Sequence, residues 1–178
     1  MRLDDIDQVI LIDRLSFSLP WPASAFRYEL GNNPSSLLWV AELVEAGGKP
    51  TVVGAIVVWM ILDEAHIATL AVHPEHRRRG ISQLLLITVL RQAIERGAAL
   101  ATLEVRASNL AAQALYKKFR FDIVGRRPRY YQDNFEDALI MTVDFSEKIK
   151  AKPSYAEWLE TDGEIHRLPS PEEVRFES

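Results

Sequence analysis

Three groups of residues in this chain have side chains and spacings suited to chemistry. The first is His76-Arg77-Arg78-Arg79-Gly80-Ile81-Ser82, a basic, glycine-containing turn between a strand-like run and a long apolar segment of helical character. The free backbone N–H groups at a helix start converge on a point, and the helix dipole adds positive potential there. Gly80 permits close backbone approach, and Ser82 is small and carries a hydroxyl. Arg77, Arg78, Arg79, Gly80, Ile81 and Ser82 therefore form a candidate cradle for a pyrophosphate. The second group centres on Glu104 within Leu100-Ala101-Thr102-Leu103-Glu104-Val105-Arg106. Strand alternation puts Thr102, Glu104 and Arg106 on one face and Leu103 and Val105 on the other. Such a carboxylate is either an acid–base group at a site or a surface partner of Arg106. The third group is Asn109 and Tyr116, seven residues apart, which two helical turns bring to nearly the same face. Tyr116 is then either a proton donor or a half-buried core tyrosine. Asn109 is either a helix N-cap, a role open to Ser108 as well, or a ligand contact.

These groups need elements to hold them. Residues 4–16 carry Ile6, Val9, Ile10 and Ile12 at helical spacing, with Asp4, Asp5 and Asp7 near the start, as suits the positive end of a helix. Leu19-Pro20-Trp21-Pro22 breaks that helix, and Ser24–Leu30 reads as a second, short one. Strands are expected over 37–44 and 51–62, joined through a turn at 46–50, and over 66–72. A long helix spans 81–96 with Gly97 as its stop, followed by a strand at 100–106, a helix over 109–119, and strands near 121–126 and 136–144. The order predicts a mixed α/β sheet with helices on both faces.

The motifs in sequence resemble those of the GNAT N-acetyltransferases. Arg77-x-x-Gly80-x-Ser82 is similar to the family's acetyl-coenzyme A signature. The likeness continues through Leu103-Glu104-Val105-Arg106-Ala107-Ser108-Asn109, Ala114-Leu115-Tyr116, Arg126-Arg127-x-x-Tyr130-Tyr131 and Glu136-Asp137-Ala138. This series resembles the RimI-type branch, which acetylates the α-amino groups of protein N-termini, and the likeness covers most of the first 145 residues, so that residues 1–145 are expected to form the acetyltransferase domain. The resemblance implies a GNAT fold with a mostly antiparallel central sheet. It implies acetyl-coenzyme A as cosubstrate, Glu104 as general base and Tyr116 as the acid that protonates the leaving thiolate. It implies that Leu70, Ala71 and Val72 offer backbone groups to the coenzyme, alongside the phosphate turn, Asn109 and Tyr116. Phe17, Pro20 and Trp21, with Glu64, Tyr130 and Tyr131, are the expected walls of the acceptor slot. The acceptor it implies is a protein N-terminus, alanine of a small-subunit ribosomal protein. Other outcomes within the same resemblance are a small-amine or lysine acetyltransferase, and a non-catalytic coenzyme-binding partner in a tRNA-modification assembly.

Three positions depart from the family pattern. Ser82 and Arg120 stand where glycine is usual, Ser82 at a position that also accepts alanine. The chain begins close to its first helix, so the N-terminal edge strand is expected to be truncated. An open sheet edge invites cover, and the tail around Val174-Arg175-Phe176 is the expected source. Residues 146–178, rich in lysine, proline and acids, are expected to be partly docked or disordered.

Composition narrows the function classes. Twenty-one basic against 25 acidic residues leave a net charge of −4, and the basic residues form short clusters, which disfavours nucleic-acid binding. With no cysteine, a thiolate nucleophile, a thioester intermediate or a thiolate metal site is impossible, and direct attack in a ternary complex is expected for the acetyl transfer. The four histidines show no metal-ligand spacing. No run reaches membrane-spanning length and no signal peptide is visible, so a cytoplasmic, metal-free enzyme is expected. Asp63-Glu64-Ala65-His66 spells a helicase motif, but no phosphate loop of that class accompanies it.

Overall fold

A computed structural model describes residues 1–44 and 49–145, and the backbone of 174–177. After a single 3₁₀ turn at Leu3–Asp5 come α1 (Ile6–Ser16), α2 (Ala23–Asn32), β1 (Ser36–Leu43), β2 (Thr51–Ile61), β3 (Glu64–Val72), α3 (Ile81–Glu95), β4 (Leu100–Arg106), α4 (Leu110–Lys118), β5 (Asp122–Tyr131), β6 (Glu136–Asp144) and β7 (Val174–Glu177). They build one sheet in the order β5-β6-β4-β3-β2-β1-β7. Among the described strands only β3 and β4 pair in parallel, as the crossover through α3 between them requires.

The apolar residues separate by face. Ile6, Val9, Ile10 and Ile12 of α1 and Phe26 of α2 pack on Val40, Val52, Ala55, Val57 and Ala71. On the opposite face Ile81, Leu85, Leu86, Val89 and Leu90 of α3 and Tyr116 of α4 pack on Ile56, Val58, Ile67, Leu103 and Val105. The two outer edges differ. Among the described residues no strand pairs with the outer side of β5, whereas the edge of β1 is covered by β7, Val174 opposite Leu43 and Glu177 opposite Val40. The cover expected from Val174, Arg175 and Phe176 is supplied in this way. The expected turn at 46–50 falls largely on residues 45–48, and the rest of the tail on 146–173, both outside the described residues.

Two sequence expectations are corrected. The strand expected near 121–126 runs on to Tyr131, because Arg127 pairs with Ala138 and Tyr131 with Glu136. Arg129, Tyr130 and Tyr131 are therefore on a strand and not in a loop. The helix expected from residue 4 begins with a 3₁₀ turn and becomes α-helical at Ile6.

Both helices that flank the candidate site end in the same hydrogen-bond pattern. In α3 the N–H of Gly97 donates to Ile94 O and that of Ala98 to Ala93 O, with Gly97 at φ 89°. In α4 the N–H of Arg120 donates to Lys117 O and that of Phe121 to Tyr116 O. Arg120 holds the left-handed position at φ 60°, the departure from glycine anticipated from the sequence. The accompanying apolar contact is Tyr116 against Phe121, ring centroids 5.7 Å apart, so the helix stop also fixes Tyr116.

Candidate active site

The parallel pairing of β3 and β4 stops early. It runs from Glu64 opposite Leu100 to Ile67 opposite Leu103 and no further. Beyond that point β3 stays with β2 as far as Val72, and β4 stays with β6 as far as Arg106. The two strands part, with Ala68 bulged out of the β2 ladder between Ile67 and Thr69. A wedge opens, and the β3 backbone from Ala68 onward has no strand partner on its β4 side.

This wedge unites residues from opposite faces of the sheet. Leu103 and Val105 point into the α3/α4 core, so Glu104 points to the α1/α2 side. Tyr116 belongs to α4, on the other side. Both line one cleft of about 480 Å³, together with Phe17, Trp21, Trp59, His66, Leu70, Asn109, Tyr130 and Tyr131. Pro20 and Glu64 do not line it. Glu64 sits where β3 and β4 are still paired, at the closed end of the wedge, and Pro20 is exposed to solvent between Leu19 and Trp21, which do contribute to the wall. Ala71 and Val72 are buried with side chains in opposite cores, leaving only their backbone available to a ligand.

Glu104 is not the partner of Arg106. Its Oε2 lies 3.2 Å from His66 Nε2 and its Oε1 lies 3.0 Å from an Arg127 guanidinium nitrogen. Arg106 reaches instead to Asp133 at 2.8 Å and Glu136 at 3.2 Å, donates to the Ser18 hydroxyl at 3.0 Å, and lies 3.9 Å above the Tyr131 ring. It thereby clasps the α1–α2 loop to the β5–β6 turn at the mouth of the cleft. Hydrogen bonds from Ser108 hold the Glu136 carboxyl down at about 2, with Asn134 and Arg106 adding to the effect. The Ser18 hydroxyl and then Arg106 likewise hold Asp133 low.

Burial pushes the Tyr116 phenol well above the ordinary tyrosine range, and Tyr131 adds to the shift. The Tyr116 hydroxyl is therefore a donor throughout the neutral range. Burial raises Tyr131 to about 12, opposed by the Arg106 charge. Asn109 is the α4 N-cap, its Oδ1 accepting from the Ala112 N–H at 3.1 Å, and Ser108 is not; Asn109 lines the cleft as well.

Outside the cleft, past the end of β3, lies the basic turn that leads into α3. Gly80 is the N-cap of α3 at φ 82°, and no side chain caps the helix. Arg78 is also left-handed, at φ 64°. Arg77 is tied down, donating to Val72 O and to the Ser16 hydroxyl, both at 3.0 Å. First-turn N–H groups with no side-chain cap, a left-handed glycine and an arginine locking the turn to β3 make a fitting cradle for phosphate oxygens. The position of α3 over the sheet depends on Gly54, where a Cβ would stand 3.1 Å from both Ile81 Cγ2 and Leu85 Cδ1.

Sequence reasoning missed His66, Trp59, Arg127, Gly54 and the buried Asp13. Asp13 accepts from the Trp21 N–H at 2.7 Å and so anchors the loop bordering the cleft. Burial raises its carboxyl pKa, against the pull of that hydrogen bond. For His66 and Arg127 the needed signal is strand register, which local pattern does not carry. Among the described residues, no three histidine or acidic side chains gather as a metal site, and no helix is long and apolar enough to cross a membrane.

The sequence profile of the acetyltransferase (GNAT) family matches residues 6–121. A Bacillus subtilis (strain 168) protein, provisionally named a ribosomal protein bS18-alanine N-acetyltransferase, is 40% identical over 147 residues, covering 83% of this chain and 94% of the relative. The solved structure of the ribosomal-protein-S18-alanine N-acetyltransferase from Escherichia coli superposes with a TM-score of 0.68 at 29% identity, covering 86% of this chain and 96% of that one. The NatC complex bound to Gag peptide and CoA shares the fold, with a TM-score of 0.73 at 23% identity over 82% of this chain and 93% of that one.

Proposed function

The chain belongs to the GNAT acetyltransferase family, and on that premise we propose that it transfers the acetyl group of acetyl-coenzyme A to the α-amino group of a protein N-terminus. The acceptor we infer is an alanine N-terminus of ribosomal protein bS18, reached in the cytoplasm, with catalysis assigned to residues 1–145. The observation carrying this reading is the wedge, which lets Glu104 and Tyr116 face one cleft from opposite sides of the sheet. The 40% identical relative bearing that activity in its name supports the choice of acceptor.

Acetyl-coenzyme A supplies an activated acetyl thioester. The α3 N-terminus with Arg77, Arg78, Arg79, Gly80, Ile81 and Ser82 would hold its phosphates. The open edge of β3 from Leu70 to Val72, with Asn109, would hold the arm that reaches the cleft. Glu104 accepts a proton from the acceptor amine, which at neutral pH is largely protonated given an α-amino pKa of roughly 7.7–8.0. Tyr116 keeps its phenolic proton and donates it where thiolate charge develops. Phe17, Trp21, Tyr130 and Tyr131 exclude water and orient the peptide end. Since the chain has no cysteine, no thiolate of its own can carry the acetyl group, and direct attack by the amine on the thioester is the proposed route.

A thiol-release assay tests this with peptides beginning in alanine, serine or methionine and with an N-terminally blocked lysine peptide. Turnover is expected on free alanine N-termini, with kcat reduced about 10²- to 10⁴-fold in Glu104→Gln. Turnover only on the lysine peptide or on small amines would overturn the acceptor assignment. Full activity of Glu104→Gln would overturn the base.

A further inference from the structure

We propose that His66 is a positioning residue for Glu104. Its imidazole and the Arg127 guanidinium each take one carboxylate oxygen and aim the remaining lone pairs into the wedge. This rests on the functional reading above.

The need for such a grip follows from the sheet. Glu104 is the first β4 residue beyond the last β3–β4 pair, so no β3 neighbour stands opposite to confine its side chain. A glutamate on an opening strand edge has several staggered rotamers, and an unfixed base loses effective molarity. His66 supplies the missing confinement from the paired part of β3. It lies opposite Thr102, one diagonal step from Glu104, with Nε2 3.2 Å from Oε2. Arg127, on β5, approaches Oε1 at 3.0 Å from the other side of β4. A carboxylate has about four lone-pair sites, so two remain for an amine or a water.

The imidazole is itself immobilised. It stacks on Trp59 with centroids 5.7 Å apart and planes 13° apart, and Trp59 stacks on Trp21 at 5.9 Å and 18°. The column is pinned at two points: Trp59 Nε1–H donates to the buried Glu29 at 3.0 Å, and the Trp21 N–H donates to Asp13 at 2.7 Å. A histidine serving only to fill space would not need a ring held by an aromatic column and an edge nitrogen turned to the one carboxylate in the cleft. The same column joins the acceptor-side loop to the base, so both are set by one rigid unit.

The test compares His66→Ala, His66→Gln, Glu104→Gln and the His66→Ala/Glu104→Gln pair, each checked by thermal melting. His66→Ala is expected to lower kcat about 10- to 100-fold with KM for acetyl-coenzyme A within about twofold. His66→Gln keeps an N–H donor on a similar reach and is expected to restore kcat to within about threefold of wild type. The double variant is expected to be no slower than Glu104→Gln alone, because the histidine acts only through the glutamate. Equal loss in His66→Gln and His66→Ala would overturn positioning in favour of proton transfer by the ring. Additive losses, or an unaffected His66→Ala, would overturn the link to Glu104. A substrate-free measurement stands beside these: the ¹⁵N resonances of His66 should shift in Glu104→Gln, and unchanged resonances would refute the contact. If the wild type acetylates another amine in the panel, the acceptor assignment falls while the same variants on that amine still decide the role of His66.

Discussion

Gly54→Ala is the perturbation that most directly joins the packing of this fold to its ligand site. Gly54 lies in β2, buried under the first turns of α3. Its φ is outside the left-handed region, so alanine meets no backbone objection. The new methyl would stand 3.1 Å from Ile81 Cγ2, 3.1 Å from Leu85 Cδ1 and 3.2 Å from Ala71 O. Favourable carbon–carbon contacts lie at about 3.5–4.0 Å, so each neighbour must retreat by about 0.4 Å or more. Ile81 and Leu85 are 1% and 0% exposed and share one face of a helix, so the retreat has to be made by α3 as a body. Overpacking of this kind costs about 1–3 kcal/mol, and the stiffer unfolded chain of alanine offsets about 0.5–1 kcal/mol. The net loss is about 1 kcal/mol, a fall in Tm of about 2–4 °C for a chain this long. Ile81 is also the first residue of α3, and the turn proposed to hold the coenzyme phosphates moves with it. KM for acetyl-coenzyme A should therefore rise severalfold while kcat with saturating coenzyme changes little. Thermal melting and coenzyme titration of the variant check both halves. A Gly54→Ala protein that melts at or above the wild-type temperature and binds coenzyme equally well would refute the claim that this close approach sets the position of the turn.

Two further outcomes follow from local geometry. Arg120→Gly should raise stability by about 0.5–1 kcal/mol, seen as a higher Tm, because a side chain at φ 60° pays a left-handed penalty that glycine avoids; a lower Tm would show that the Arg120 side chain outweighs it. The clasp at the cleft mouth should loosen in acid. The Glu136 carboxyl is held at about 2 against an ordinary 4.5, first by Ser108 and then by Asn134 and Arg106. A folded-state value below the unfolded one means its contribution is complete above about pH 4.5 and lost as pH falls towards 2. Asp133, lowered by Ser18 and Arg106, has the same sign, whereas Asp13, raised by burial, has the opposite one. Protection factors, which are corrected for the pH dependence of intrinsic amide exchange, should therefore fall in residues 129–137 and 16–20 across that window before α1 and its Asp13 anchor respond, and equal protection factors at pH 2.5 and 7 would refute it.

Much of the fold was legible because its signals are local. The apolar spacing of α1, the Gly97 stop of α3, the alternation in β4 and the basic turn before Ile81 each depend on a few neighbouring residues, and the elements formed within one or two positions of expectation. Even the strained Arg120 could be anticipated, since a helix stop needs a left-handed residue whatever its identity. Where the reading erred, a non-local pairing prevailed. β5 extends to Tyr131 because β6 offers it partners, not because Arg126–Arg129 reads as strand. Glu64, expected at the acceptor slot from the family resemblance, does not line the cleft and sits where β3 and β4 are still zipped.

The same distinction explains the candidate site. Glu104 and Tyr116 stand out in the sequence as residue types, yet the sequence puts them on different elements facing different layers. What makes them one site is the point at which the parallel ladder ends, between Leu103 and Glu104, and that register belongs to two strands separated by a 15-residue helix. The partners of Glu104 follow from the same register. His66 qualifies because it falls opposite Thr102, and Arg127 because β5 pairs with β6 and β6 with β4. Shift either pairing by one residue and the side chains exchange faces, so the donors would point into the α3/α4 core while the carboxylate kept its place. The proposed base is only as well aimed as the sheet is well registered. For that reason, substitutions that disturb β3–β4 pairing without touching the cleft, at Ala65 or Ala101, should lower kcat before they lower coenzyme affinity.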